Sequence, residues 1–419
     1  MHLVNVGRKH IADYRSIVAR ELMAEIEELG ARLRGARVVH VNATAFGGGV
    51  AEILYTLVPL TTDAGLEAEW RVMAAPGEFF TITKAFHNGL QGQPLELTDA
   101  MRSAYEEVCR ANATQLARDY DVVVVHDPQP LAMRHFVTGA GDGRPRWVWR
   151  CHIDTSTPDQ GLYDYLLPFI AEYDAAVYTL RDYVPRGLAV PVREVAPTID
   201  PLAPKNMALS REDAAYIVRQ FGVDAERPLL LQVSRFDPWK DPLGVVDAYR
   251  IVKAQREDVQ LALIGSMASD DPEGWEYLER VIEYVGGDPD VFILSNLDNV
   301  GSVEINAFQS HADAVLQKST REGFGLTVTE ALWKARPTIG GAVGGIPLQI
   351  TDGVTGYLVD SVEECAARCL DVLAEPERHR QMALLGKEHV RRHFLTPRLL
   401  RDDLRLFDDL LRGKIRGGA

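Results

Sequence analysis

Glu322 and Glu330 stand eight positions apart, with Gly323-Phe324-Gly325 between them. Paired carboxylates suit sugar hydroxyls, and a glycine turn between them suits an anion. The turn follows an apolar run, Ala312 to Leu316, that has the character of a buried strand. Beyond it, Val328, Ala331, Leu332 and Ala335 recur at i, i+3, i+4 and i+7, one apolar face of a helix that Pro337 ends. Backbone N–H groups at such a strand-to-helix turn lack helical acceptors and carry partial positive charge. Glycine lets another molecule approach that backbone closely. A nucleotide sugar offers both an anion and hydroxyls in one molecule. A plainer reading stands beside this one: Thr327-x-x-Glu330 forms a capping box, and Glu322 is a solvated turn residue.

Other parts of the chain supply matching chemistry. Arg235 and Lys240 follow the apolar strand Pro228 to Val233, in a loop stiffened by Pro238 and Pro242. Arginine grips a diphosphate bidentately and lysine acts as a point charge; the alternative is a surface Lys240 pairing with Asp241. The strand Arg37 to Asn42 runs into Ala45-Phe46-Gly47-Gly48-Gly49-Val50 and then an apolar helix, a phosphate-cradle layout. It matches neither the dinucleotide nor the Walker pattern, and a tight turn for helix packing would explain the glycines equally. Two further apolar strands end in His126-Asp127 and in His152-Ile153-Asp154. Polar residues at the carboxyl ends of parallel strands are where open α/β sheets bind ligands.

Composition bounds the answer. The chain has 419 residues, 46% apolar and 25% charged, with 45 basic and 60 acidic side chains for a formal charge of −15. This acidity argues against nonspecific nucleic-acid or anionic-membrane partners, so an anionic substrate needs a local cationic cluster. Four cysteines occur without a Cys-x-x-Cys, indicating neither zinc nor a disulfide framework. With charges in the first ten residues and no apolar run of transmembrane length, the expectation is a cytoplasmic protein without signal peptide or spanning helix.

The elements that must position these residues alternate. An amphipathic helix is expected over 13–33, with Ile17, Leu22, Ile26, Leu29 and Leu33 inward, and a long helix over 99–119. Residues 79–89 read as an aromatic connection. Pro197, Pro201 and Pro204 mark a boundary. The fold class expected is α/β, two Rossmann-like parallel-sheet domains facing across a cleft, spanning 1–200 and 201–396, with the C-terminal helix, about 397–419, packing back on the first.

Ser-Arg-Phe-Asp-Pro-Trp-Lys-Asp-Pro, Glu-Gly-Phe-Gly-Leu-Thr-Val-Thr-Glu and Gly-Gly-Ile-Pro resemble the large retaining glycosyltransferase family that includes sucrose synthase and has the GT-B fold. More narrowly, Val-Asn-Ala-Thr-Ala-Phe-Gly-Gly-Gly-Val-Ala-Glu-Ile-Leu, Val-His-Asp-Pro-Gln-Pro and Met-Ala-Ser-Asp-Asp-Pro-Glu-Gly-Trp-Glu resemble the trehalose glycosyltransferring synthases, over about residues 10 to 400. The resemblance implies transfer of glucose from ADP- or UDP-glucose to free glucose, giving α,α-trehalose. It implies that Arg235 and Lys240 grip the diphosphate with Gly48 and Gly49 at its border. Glu322 and the N–H groups of Phe324, Gly325 and Leu326 would hold the transferred glucose, Glu330 the ribose, and Asn296 and Leu297 the nucleobase. His152 would touch the transferred sugar and Asp127 the acceptor. Many relatives carry Glu after Gly-Gly-Ile-Pro, where this chain has Leu348, which puts contacts at that turn in question.

No Asp-x-Asp stands at a strand end, so no motif calls for magnesium or another metal, and the cations and the helix N-terminus are expected to stabilise the departing diphosphate. That leaving group can itself take the acceptor's proton on the face it leaves, which retains configuration without a protein nucleophile, unlike retaining glycosidases. A homodimer is the expected assembly. The alternatives are a retaining trehalose phosphorylase, a nucleotide-sugar epimerase using Asp127 and His152 as acid and base, and a nonenzymatic nucleotide-sugar sensor.

Overall fold

Valine- and tryptophan-rich runs build the first sheet. In the computed structural model, which describes residues 1–46, 48–116, 119–137, 145–267 and 272–415, the chain divides into two compact units, Met1–Thr198 with Thr396–Ala419, and Ile199–Leu395. In the first unit the strands are β1 (His2–Leu3), β2 (Arg37–Asn42), β3 (Glu67–Val72), β4 (Val122–His126), β5 (Arg146–Cys151), β6 (Ala175–Tyr178) and β7 (Val192–Glu194). They lie in the order β1-β3-β2-β4-β5-β6-β7, all parallel except β1. Val39, Val41, Val123, Val125, Trp147 and Trp149 face one core, and Trp70 packs with Leu54 and Val58 in another. A sheet covered on both sides needs such near-continuous apolar strands.

The second unit repeats the design with β8 (Leu229–Val233), β9 (Gln260–Gly265), β10 (Val291–Ser295), β11 (Ala314–Gln317), β12 (Thr338–Gly341) and β13 (Tyr357–Val359). The order is β10-β9-β8-β11-β12-β13, all parallel. Alternation is visible within β8: Leu230 joins one core and Leu229, Leu231 and Val233 the other.

Local structure departs from the sequence expectation in several helices, and the long helix expected over 99–119 ends at Ala113. Residues 79–89 are not a connection but lie in the helix Gly77–Leu90, which buries Phe79, Ile82, Phe86 and Leu90. Gly89 is a packing site: a Cβ there would lie 2.8 Å from Leu162 Cδ2. That leucine belongs to a further helix, Gln160–Ile170, which the sequence reading left unassigned, as it did Met133–Phe136 and Arg211–Arg219. The first helix starts at Arg20 rather than residue 13 and buries Met23, Ile26 and Leu29, with Leu22 and Ile17 only half-buried. The last helix, Thr396–Leu411, packs on Arg20–Arg32 and Gly49–Asp63. Arg398 donates to Ala196 O at 2.6 Å, tying that helix to the end of the first unit's long segment.

Candidate active site

The loop after β8 is wound by its own aspartates. Asp237 Oδ1 accepts from Trp239 N at 3.0 Å and from Lys240 N at 3.1 Å, making a 3-10 turn of Pro238–Lys240. Asp241, left-handed at φ 48°, then accepts from Gly244 N at 3.1 Å and starts the helix Pro242–Lys253. Lys240 emerges with Nζ 2.7 Å from Glu322 Oε2, so it pairs with Glu322, and Asp241 pairs with Lys318 instead. Arg235 is 51% exposed at its side chain, 3.2 Å from Asp237 Oδ2.

Glu322 is buried, and Oε2 also accepts from Ser319 Oγ at 3.1 Å and Gln317 Nε2 at 3.4 Å. Its neighbour Gly325 is left-handed at φ 83° and is the N-cap of the helix Leu326–Trp333. A Cβ at Gly325 would come within 3.3 Å of Glu322 Cγ, and one at Gly345 within 2.7 Å of Phe324 Cα. Gly325 is therefore favoured by its left-handed backbone and Gly345 required by close approach. The Phe324 ring is core, 5.5 Å from Phe394. Buried Gln349 donates to Phe324 O and accepts from Thr329 Oγ1, pinning the turn from below. With Leu348 38% exposed, it is Gln349, one residue on, that this chain uses to hold the turn.

The capping-box reading of Thr327 and Glu330 is corrected by this geometry. Gly325, not Thr327, caps the helix, with no side-chain cap bond. Glu330 sits a turn further in, 2% exposed, accepting from Gln309 Nε2 at 3.0 Å and lying 3.3 Å from Lys205 Nζ. The two carboxylates thus belong to separate networks. Beside Glu330, burial lowers the Lys334 pKa to about 8, partly countered by that carboxylate. At the end of β10 the Asn296 amide is spent on the backbone, accepting from Met267 N at 2.6 Å and donating to Met267 O at 3.1 Å. Leu297 next to it is 60% exposed. Residues 268–271 of the Met-Ala-Ser-Asp-Asp stretch lie outside the described residues.

In the first unit, Gly48 is the N-cap of the helix Gly49–Asp63 with φ 112° and open space where a Cβ would project; Gly47 lies outside the described residues. At the adjoining strand ends Asp127, left-handed at φ 61°, accepts from His152 N at 2.8 Å, joining β4 to β5. Burial raises the Asp127 pKa to about 7, against the His152 N–H and the Arg150 charge.

Three imidazoles form a chain behind it. His40 Nδ1 is 3.1 Å from His126 Nε2, and His126 Nδ1 is 3.0 Å from His152 Nε2. Burial foremost lowers all three pKa values, with the Arg150 charge adding to it, so each ring is neutral and carries one N–H. Two protons serve the two contacts, and one N–H is left for an end of the chain. At the His40 end, Nε2 is buried with no partner among the described residues, where an orphaned N–H is costly and the Arg150 charge favours a lone pair. The spare N–H therefore falls at Nδ1 of half-buried His152. Arg150 is anchored by Asp403 of the last helix at 3.1 Å, and burial raises the Asp403 pKa to about 6.

Sequence reasoning marked His126 only as a polar strand end, and missed His40, Arg150, Gln317, Lys205 and Gln349. A histidine inside Val-Val-His-Val was a usable signal, since an apolar strand tolerates it only with a partner. Among the described residues no three His, Cys, Asp or Glu are grouped to hold a metal ion, and no helix is long and apolar enough to cross a membrane.

Comparison with known proteins agrees with the fold. Sucrose-phosphate synthase from Thermosynechococcus elongatus superposes with a TM-score of 0.70 over 90% of this chain and 100% of its own, at 18% identity. Anabaena Alr3699/HepE, solved with UDP-glucose, gives 0.67 over 89% and 99%, at 17% identity. A family model described as glycosyl transferases group 1 matches residues 215–389. The fold is that of the GT-B glycosyltransferases, and the group 1 match makes the chain a glycosyltransferase. A model described as trehalose synthase, N-terminal domain, matches residues 40–185. The trehalose synthase of Rubrobacter xylanophilus is 63% identical over 412 residues, 97% of this chain and 99% of that one. The chain belongs to the trehalose synthase family.

Proposed function

We propose that the protein transfers glucose from a nucleoside-diphosphate glucose, ADP- or UDP-glucose, to free glucose, forming α,α-trehalose with retention at the transferred carbon. The observation that carries the reading is the Lys240–Glu322 contact of 2.7 Å beside the Gly325 helix start. It sets a cation and a carboxylate, from beyond the ends of the paired strands β8 and β11, beside the backbone N–H groups of a helix start, the set a sugar diphosphate needs. Arg235 and Lys240 would take the diphosphate, with Gly48 and Gly49 at its border. Glu322 and the N–H groups of Phe324, Gly325 and Leu326 would take the glucose hydroxyls. Glu330 would hold the ribose, and exposed Leu297, with the backbone of Asn296, the base.

In the other unit Asp127 would accept from the acceptor glucose, and His152 Nδ1–H would donate to a hydroxyl of the transferred sugar. As the bond to the diphosphate oxygen breaks, that oxygen would take the acceptor's proton on the same face, and the cations would offset its growing charge. The charge compensation would come from Arg235, Lys240 and the helix start, so turnover in excess chelator is the expected outcome; complete loss reversed by magnesium would refute it. We further propose a cytoplasmic homodimer, in keeping with four free, buried cysteines.

The deciding experiment incubates purified protein with UDP- or ADP-glucose, with and without glucose, and identifies the product by NMR. Disaccharide only when glucose is present supports the reading. A ring epimer without acceptor would mark an epimerase, and glucose 1-phosphate from trehalose and phosphate a phosphorylase; either in place of synthesis overturns it.

A further inference from the structure

The end of the second sheet opposite the candidate donor residues holds a cavity of about 630 Å³. Pro228, Asp313 and Pro337, which immediately precede β8, β11 and β12, line it, whereas Lys240, Glu322 and Gly325 follow the carboxyl ends of strands. Arg211, His311, Lys334, Arg336 and Arg380 line it too, against the single carboxylate of Asp313. In a chain of formal charge −15, this local excess of cations is built against the global field.

The cations are unequally committed. Lys334 Nζ donates to Asn206 Oδ1 at 3.1 Å, and Arg380 lies 3.7 Å from Glu377 at the surface. Asp313 accepts from the backbone N of Leu229 at 2.9 Å. Arg336 is different: its Nε is buried with no hydrogen-bond partner among the described residues. Its pKa is lowered by burial first and also by the charges of Arg211 and Arg380, with Asp313 opposing. Arg336 and Arg211 likewise depress His311, after burial. A guanidinium half out of water, with a donor unsatisfied and two like charges near, is an unfavourable arrangement until an anion joins it.

We propose that this cavity is a binding site for a small phosphate monoester, gripped by Arg336 and Arg211 with His311 and Arg380 at its rim. Phosphate fits because a planar guanidinium presents paired donors to two of its oxygens. The volume lies in the range of small-molecule sites and leaves room for an organic group on the phosphate. The site is independent of the proposed transfer reaction, since none of its residues serves that reaction.

Calorimetric titration of the full chain tests it, at constant ionic strength, with glucose 6-phosphate, inorganic phosphate and glucose as probes and sodium chloride as control. Glucose 6-phosphate should bind more tightly than inorganic phosphate, and glucose not at this site. Arg336→Gln should weaken that binding about tenfold or more, while Arg235→Ala, which alters the candidate diphosphate grip, should leave it intact. Arg336→Gln should also melt no lower than the parent without ligand, because it removes an unpaired charge. Three results each overturn the proposal: no phosphate binding beyond the chloride control, binding unchanged in Arg336→Gln, or binding lost in Arg235→Ala. Inorganic phosphate binding as tightly as the ester would refute the monoester assignment.

Discussion

Replacing Glu330 by glutamine removes one charge and little volume, at a carboxylate 2% exposed to solvent. Glutamine keeps an acceptor for Gln309, now at 3.0 Å, but removes the carboxylate charge 3.3 Å from Lys205. Had Glu330 been the cap of an exposed helix start, its loss would cost about 1 kcal/mol. Breaking one side of a buried ion pair costs about 3–5 kcal/mol. Lys205 retains 19% side-chain exposure and can turn toward water, so the lower end, about 3 kcal/mol, is expected. The deficit should also depend on pH. The Lys334 pKa is lowered from 10.5 to about 8 by burial, and Glu330 holds it up; without Glu330 it falls further. A lowered lysine disfavours the folded state while charged, and stability rises with pH as the folded form gives up its proton before the unfolded form does. Below about pH 8 the variant lacks the compensation that the parent enjoys; above it Lys334 is neutral in both folded proteins and that share of the deficit vanishes. Urea unfolding of both proteins at about pH 7 and about pH 9 measures this, and titration with the nucleotide sugar measures the ribose role separately, expected at about 1.5–3 kcal/mol. A deficit below about 1 kcal/mol, or one that does not shrink with rising pH, would refute the buried-pair account.

Arg235→Ala, at a side chain 51% exposed, should change melting little yet lower kcat about 10²-fold; parental turnover would sink the diphosphate role. Asp127, with its folded pKa raised to about 7 from 3.8, contributes stability that is full below the lower value and lost as pH rises through the higher. Activity should gain over that upper limb, because the carboxylate is the better acceptor for a hydroxyl, and Asp127→Asn should abolish both trends; a pH–rate profile unchanged in the variant would count against it. For the imidazole chain, ¹⁵N NMR of histidine-labelled protein should find the proton on Nδ1 of His152. His126→Leu should lower kcat by about fivefold or more through loss of one hydrogen bond. His126→Asn, whose amide can donate from the Nδ1 position, should recover most of it, and a proton found on Nε2 of His152 would overturn the assignment.

Strand positions were legible because parallel strands buried on both faces are near-continuously apolar, and Val122–His126 and Leu229–Val233 each carry a single polar residue. The glycines at 325 and 345 were legible as turn signals, and Arg235, Lys240, Asp127 and His152 as polar residues directly after strands. The helix Gly77–Leu90 was not, because its aromatic run reads as a connection until the fold shows Phe79, Ile82 and Phe86 buried along one face. Nor was the partner of Glu330: a Thr-x-x-Glu spacing cannot distinguish a cap from a buried acid, and only the fold brings Lys205 and Gln309, 125 and 21 positions away, to its oxygens. The same holds for His40, His126 and His152, one from each of three strands or strand ends that lie adjacent through the pairings of β4 with β2 and β5. Sequence by itself determined the alternation, the turns and the residue types that can do chemistry, since these depend on local periodicity and conformational freedom. Which charges are buried, which are paired and which nitrogen carries a proton was decided by tertiary structure alone, because desolvation and hydrogen bonding act between residues that only the fold makes neighbours.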